Sequence, residues 1–249
     1  MIKLFRSRQR RNLRESNTFK YFRYALGEIL LVVIGILIAL QVSTWNQQRQ
    51  DRKTEQRILL SLQSDLESDI QILEQYIQST SKRLASVDSI VNILNKPEEY
   101  SIMDFLQYQV GLTLDNYFVA NRATFDEGVA SGTLKLIRND SLRKGVFDHY
   151  RYLSNDRNND HSSYQITNNI IVPTIVEEIF SSADAIGRMG IDGKDLPHLD
   201  LKEIAKNQRY LQVLIYARGD NFLIREWKTT QQRSLELINL IKLAMDKNL

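Results

Sequence analysis

No cysteine occurs among the 249 residues, which removes disulfides, Cys-ligated zinc, iron–sulfur clusters and thiol nucleophiles from consideration. Glycine (10) and proline (3) are scarce. An all-β or α/β chain needs such residues for its many turns, so the composition leans helical. The histidines are three, His149, His161 and His198. The pairs Asp148-His149 and Asp160-His161 lie twelve residues apart, which is not the i,i+4 spacing of a helical metal site.

Phosphate-binding patterns are missing too. There is no G-x-x-x-x-G-K and no G-x-G-x-x-G, and Gly187, Gly190 and Gly193 read as a loop. The run from Gly128 to Gly132 has the wrong spacing for a serine nucleophile elbow and reads as a helix end. Arg218-Gly219-Asp220 spells an integrin-binding tripeptide, but inside an amphipathic helix it reads as a chance match. The expectation is a protein that is not an enzyme, with no catalytic residue, cofactor or metal.

What is present is unevenly distributed. Residues 1–24 hold eight Lys or Arg and one acid, a net +7, which leaves −4 for the rest of a chain whose total is +3. The basic character belongs to a tail. Directly after it comes GEILLVVIGILIALQVSTWN, residues 27–46, whose one charge is Glu28. From Tyr24 to Trp45, 21 steps of about 1.5 Å give roughly 32 Å, the thickness of a bilayer core. Tyr21 and Tyr24 on one side and Trp45 on the other are interface anchors.

Lys3, Arg6, Arg8, Arg10, Arg11, Arg14, Lys20 and Arg23 flank the N-terminal end, whereas Arg49 to Arg57 mixes bases with Asp51 and Glu55. By the positive-inside rule the N-terminus is cytoplasmic and the remainder exported. A cleaved signal peptide is the competitor. The long basic region and Gln41 after Ala39-Leu40 argue against it. The basic arm before a span is a topology and anionic-lipid signal, so nucleic acid is not expected as a partner. On a helix Glu28, Gly35 and Ala39 share a face, and Gly35-x-x-x-Ala39 is a small-x-x-x-small pair open to another helix. Glu28 either lines that membrane contact or snorkels to water.

Residues 27–46 resemble the signature of an uncharacterised family of small single-pass membrane proteins of Bacteroidota, with its Gly-Glu-Ile start, VVIGILIALQ centre and closing Trp-Asn. Residues 124–153, TFDEGVASGTLKLIRNDSLRKGVFDHYRYL, are similar to the family's soluble part. Ala130 replaces a usual Ser, and Arg151 separates Tyr150 from Tyr152. Because that family has no known function, the resemblance implies topology and host type only.

After the span, Leu59, Leu62, Leu66, Ile70, Leu73, Ile77, Thr80, Leu84, Val87, Val91 and Leu94 alternate in steps of three and four with one stutter. This seam predicts a long helix, packed on its own domain or in a coiled coil. Asn95-Lys96-Pro97 ends it. Ser101 and Asp104 form a capping-box variant for a helix to about Phe118. Asn121 caps a short helix ending at Gly132, and residues 134–137 form a turn or strand. Asn139 or Asp140 opens a helix that buries Leu142, Val146 and Tyr150 and runs, bent near Pro173, to Phe180.

Residues 181–198 hold three glycines and one proline and form the main irregular loop, whose length marks it as functional. A helix and then a long amphipathic one follow Asp200, with Leu211, Leu214, Ile215, Phe222, Trp227, Leu235, Ile238 and Ile241 available for the core.

The expected fold is all-α: a single transmembrane helix continuing into a long helix, plus an exported antiparallel helical bundle. The expected divisions are a basic cytoplasmic tail (1–24), a transmembrane helix (25–45), a long amphipathic helix (46–96) and a bundle domain (97–249). Function follows one of two readings. In the first, a single-pass inner-membrane protein with a periplasmic domain acts in assembly or scaffolding, with membrane lipid and either its own copies or other envelope proteins as partners. In the second, the bundle is a sensor for a small ligand. A tail of two dozen residues is too short for an output domain, so a sensor would signal through a partner.

Overall fold

The computed structural model describes residues 9–154 and 159–246, with side chains described over 21–154 and 162–246. The chain divides into two units, Met1–Glu55 and Gln56–Leu249. A single helix, α1 (Gln9–Asn95), supplies the described part of the first unit and opens the second. From Ile36 to Lys96 the sequence contains neither glycine nor proline. Pro97 then disfavours helical backbone at Lys96, and the helix ends one residue earlier.

In the first unit the side chains of residues 21–50 are all exposed. Its apolar segment is long and apolar enough to cross a membrane, as an anchor or a signal sequence would.

In the second unit every regular element among the described residues is helical. After α1 come α2 (Ile102–Leu106), α3 (Gln109–Thr113), α4 (Ala123–Ala130), a 3-10 turn (Thr133–Leu136), α5 (Asp140–Ser154) and α6 (Asn159–Ile166). There follow α7 (Val172–Ile175), flanked by π-helical turns Thr167–Ile171 and Val176–Phe180, then α8 (Ala183–Gly187), α9 (Leu201–Ile204), α10 (Gln208–Gly219) and α11 (Asn221–Asp246). Arg218 donates to Asp88 (2.8 Å) and Gln231 to the Ile70 carbonyl (3.1 Å), so α10 and α11 run antiparallel to α1. Tyr152 donates to Glu226 while Gly145 faces Leu237 and Leu240, which sets α5 antiparallel to α11.

Several local expectations change. The helix capped by Ser101 and Asp104 has its reciprocal box, but α3 stops at Thr113 and not near Phe118. Residues 114–122 instead run back along α1 without regular structure. Of the turn or strand expected over residues 134–137 the turn forms, a 3-10 turn that follows Gly132 at φ 69°. Asn139 accepts from the Leu142 amide and caps α5. α5 is described to Ser154, and from Asn159 to Phe180 the path is helical with two π turns around Pro173. Leu214, Trp227, Ile238 and Ile241 are buried as expected, whereas Ile215, Phe222 and Leu235 are exposed, since α10 and α11 turn Val213, Ala217, Leu223 and Leu237 inward in their place.

The α1 seam packs inside its own unit, in three apolar layers. Leu59, Leu62 and Leu66 meet Phe125, Leu142, Val146, Tyr150 and Ile241. Leu73 and Ile77 meet Phe118, Leu223 and Trp227. Val87, Ile90 and Leu94 meet Phe105, Leu112, Ile175, Tyr210 and Val213. Each such side chain contributes about 1.5–3 kcal/mol by leaving water. Ile70, Leu84 and Val91 are only half-buried, because Asp69, Arg83 and Ile90 hold the centre of the face.

The two polar interruptions serve the irregular segment beside them. A chain without ladder or helix partners must satisfy its backbone groups elsewhere. Arg83 donates to the Leu114 carbonyl (2.7 Å), and Asn116 donates to Ser79 (2.7 Å) and Thr80 (3.1 Å). The Asn121 amide donates to Asp69 (2.9 Å), its side chain to Asp65 (2.9 Å), and the Thr124 amide to Asp65 (3.3 Å) at the start of α4. Arg83 also donates to Thr167 (3.1 Å) and lies 3.4 Å from both Asp115 and Asp220.

Replacing Arg83 by Ala leaves two buried carboxylates without their cation and is expected to cost about 3–5 kcal/mol, measured by denaturant unfolding of the detergent-solubilised chain. Adding Asp220→Asn to that variant recovers part of the loss. Burial pushes Asp69 up to about 6, helped by Asp65 and opposed by the Asn121 amide. The folded state therefore holds its proton more tightly than the unfolded chain, so stability falls as pH rises from about 4 through 6. His149 acts oppositely: burial, and then Arg233, lower it to about 4, so its contribution is lost as pH falls from 6.5 through 4. Asp69→Asn should raise Tm by about 2–4 °C at pH 7 and leave it unchanged near pH 4. An equal effect at both values would contradict this account.

Candidate functional site

The loop expected over 181–198 is not formless. Ser182 caps α8, accepting from the Ala185 amide (3.2 Å) and donating to the Ile179 carbonyl (2.7 Å). The Ala183 amide donates to the Pro197 carbonyl (3.0 Å), which brings the two ends of the loop together. Gly193 makes that approach possible, since a Cβ there would sit 3.2 Å from the Ala183 Cα.

Asp184 is the clasp. Its carboxylate accepts from the Leu199 amide (2.7 Å) and pairs with His198 Nδ1 (3.1 Å). Burial works against its charge, but the Leu199 amide and His198 outweigh it and hold the group below the usual carboxylate range. A loop closed this way is an Ω-type loop, a form often given to function.

Opposite the loop, α3 is fixed from beneath. Tyr210 donates to Gln109 (2.8 Å), and Gln109 donates back to the Phe105 carbonyl (3.3 Å), all buried. The neighbouring Val110 is thereby turned outward. Between the two elements lies an apolar groove of about 260 Å³, lined by Leu106, Val110, Phe180, Ala185, Arg188 and Met189. Val110 is 57% and Met189 70% exposed. Chemically the groove offers apolar contact with one guanidinium at its edge, a surface suited to a partner's apolar side chain.

The residues expected to act in the membrane segment belong to the first unit. Glu28, Gly35 and Ala39 are exposed on α1, with open space around Gly35, and the anchors Tyr21, Tyr24 and Trp45 are exposed as well. Of the topology residues, Arg23 is exposed. Arg6 and Arg8 lie outside the described residues, as do the side chains of Arg10, Arg11, Arg14 and Lys20.

His149 is buried between α5 and α11 with neither ring nitrogen hydrogen-bonded, and His161 falls outside the described side chains. Among the described residues no group of three His, Asp or Glu could hold a metal.

Apolar periodicity passes over Asp65, Asp69, Arg83, Asp115 and Asp220. For Asp69 and Arg83 a signal exists. Each stands three residues after a buried seam position, Leu66 and Thr80, and four before the next, Leu73 and Val87. Asp220 stands out in the sequence only as the end of a chance tripeptide.

Fold and site define a class: a helical bundle downstream of one apolar helix long enough to cross a membrane. The chain belongs to DUF6090, a family of unknown function, whose model matches residues 28–168. No curated protein and no solved structure matches it. The family match takes in the apolar segment and Asp65, Asp69, Arg83, Asp115 and Thr167. The 181–198 loop and Asp220 lie beyond it.

Asp184→Ala should open the loop at a cost of about 1–3 kcal/mol, the penalty for leaving its donors unmatched. Limited trypsin digestion is expected to cut after Arg188 and Lys194 several-fold faster than in the parent chain. Unchanged cleavage would show that the clasp does not hold the loop.

Proposed function

We propose that this protein is a non-enzymatic, single-pass inner-membrane protein whose periplasmic bundle docks other envelope proteins or its own copies as an assembly component. The apolar segment is an uncleaved anchor in this reading, with the basic tail cytoplasmic and lipid-facing. The observation that carries it is the groove between α3 and the 181–198 loop, where Val110 and Met189 stand exposed on two walls, one fixed by the buried Tyr210–Gln109 bond and the other by the Asp184 clasp. Rigid walls cut the ordering cost of association.

The α1 seam supports the same conclusion indirectly. Its apolar residues are spent inside the unit, so association draws on outer surfaces and on the membrane segment, where Glu28, Gly35 and Ala39 form one helical face. The sensor reading draws support from a second cavity, at the α10–α11 junction, where Asp220 lies beneath Tyr216 and Phe222.

Purification from native membranes in mild detergent, with crosslinking and identification of companions, tests the assembly reading. Val110→Asp and Met189→Asp should each reduce recovery of the companions at least about 10-fold, a loss of roughly 1.4 kcal/mol, while Glu28→Leu reports the share of the membrane segment. A monodisperse monomer without companions would overturn the reading.

A further inference from the structure

Charge is out of balance beneath the α10–α11 junction. Arg83 Nη1 sits 3.4 Å from Asp115 Oδ1 and 3.4 Å from Asp220 Oδ2, one guanidinium against two carboxylates whose side chains are 4% and 5% exposed. Ser163 donates to Asp220 Oδ1 (2.7 Å) and Thr167 accepts from Arg83 (3.1 Å), but neither contributes charge. Oδ2 of Asp115 and Oδ2 of Asp220 make no hydrogen bond. Burial, opposed by Arg83 and Ser163 and helped by Asp115, raises the Asp220 carboxyl above its usual range, so holding its charge carries a solvation cost that an approaching cation relieves.

Asp220 also lines a cavity of about 260 Å³, together with Ser163, Ile166, Ile215, Tyr216 and Phe222. Ile215, Tyr216 and Phe222 are 70%, 42% and 40% exposed, large apolar side chains left open around one mouth. The opposite wall is the end of α6 and the π turn Thr167–Ile171. Such turns recur at functional sites because they widen a helix locally. Here the π turn is also the element that places Thr167 on Arg83.

An acid at the base, aromatic rings at the rim and apolar walls between them are the recognition elements of an organic ammonium ion. We propose that this cavity binds a small, compact amine in its protonated form, its ammonium directed to Asp220 and Ser163 and its apolar body held by Ile215, Tyr216 and Phe222. The volume equals that of about eight or nine water molecules at ~30 Å³ each. This site shares no residue with the groove at α3 and does not depend on the docking reading.

Isothermal titration of the full chain in non-ionic detergent, against a detergent blank, tests the proposal with three probes of one shape: cyclohexylammonium, cyclohexanol and cyclohexanecarboxylate. The amine is expected to bind at least about 10-fold more tightly than the alcohol, and the carboxylate not at all. Asp220→Asn should abolish the preference for the amine. Tyr216→Ala, at an exposed position, should weaken amine binding several-fold with the fold intact, and it decides the matter if Asp220→Asn does not fold. Equal affinity for amine and alcohol, no saturation by the amine on the order of 10 mM, or full amine binding by Tyr216→Ala would each overturn it.

Discussion

The buried guanidinium of Arg83 is the constraint on which the second unit depends. It reaches the Leu114 carbonyl, Asp115, Thr167 and Asp220, so one side chain joins α1 to three segments distant in sequence. Apolar layers tolerate sliding at modest cost, because one aliphatic contact resembles another. A buried cation does not, since moving it off its partners leaves charges unpaired in a medium that solvates them poorly. Arg83 and its acids thus specify the register in which α1, the π turn and the α10–α11 junction meet.

The same logic explains why a helix face otherwise built of Leu, Ile and Val carries Asp69 and Arg83 near its centre. The chain must return from α3 to α4, and it does so unpaired over residues 114–122. Its amides and carbonyls need partners, and α1 supplies them at two levels, Arg83 above and Asp65 with Asp69 below. The core is divided into three layers as a consequence. Asp69 and His149, one raised and the other lowered by burial, show what such polar placement costs in solvation.

The 181–198 loop is held differently. Its polar groups are satisfied within itself, through Ser182, Asp184 and the Ala183–Pro197 contact. Ala185 ties it to the apolar layer around Phe105 and Tyr210, and Met189 is left to solvent opposite Val110. A rigid loop against a pinned α3 is what makes that groove a docking surface in the proposed reading, and the cavity at Asp220 differs in kind, being built on charge.

Much of this was legible in the residues. The scarcity of glycine and proline, the three-four spacing from Leu59 to Leu94, the Ser101–Asp104 box and the glycines of the loop each act over a few neighbouring residues. Local chemistry of that range determines helix, cap and turn by itself. Other features were not legible. That α3 stops at Thr113, that Ile215 and Phe222 face outward, and that Arg83 meets Asp115 and Asp220 all depend on residues far away along the chain. Periodicity ranks positions by apolar character and so favours Ile70 and Leu84 over Asp69 and Arg83. Only the tertiary structure decided otherwise, because the partners that make a buried charge tolerable are assembled by folding and leave no mark on the local pattern.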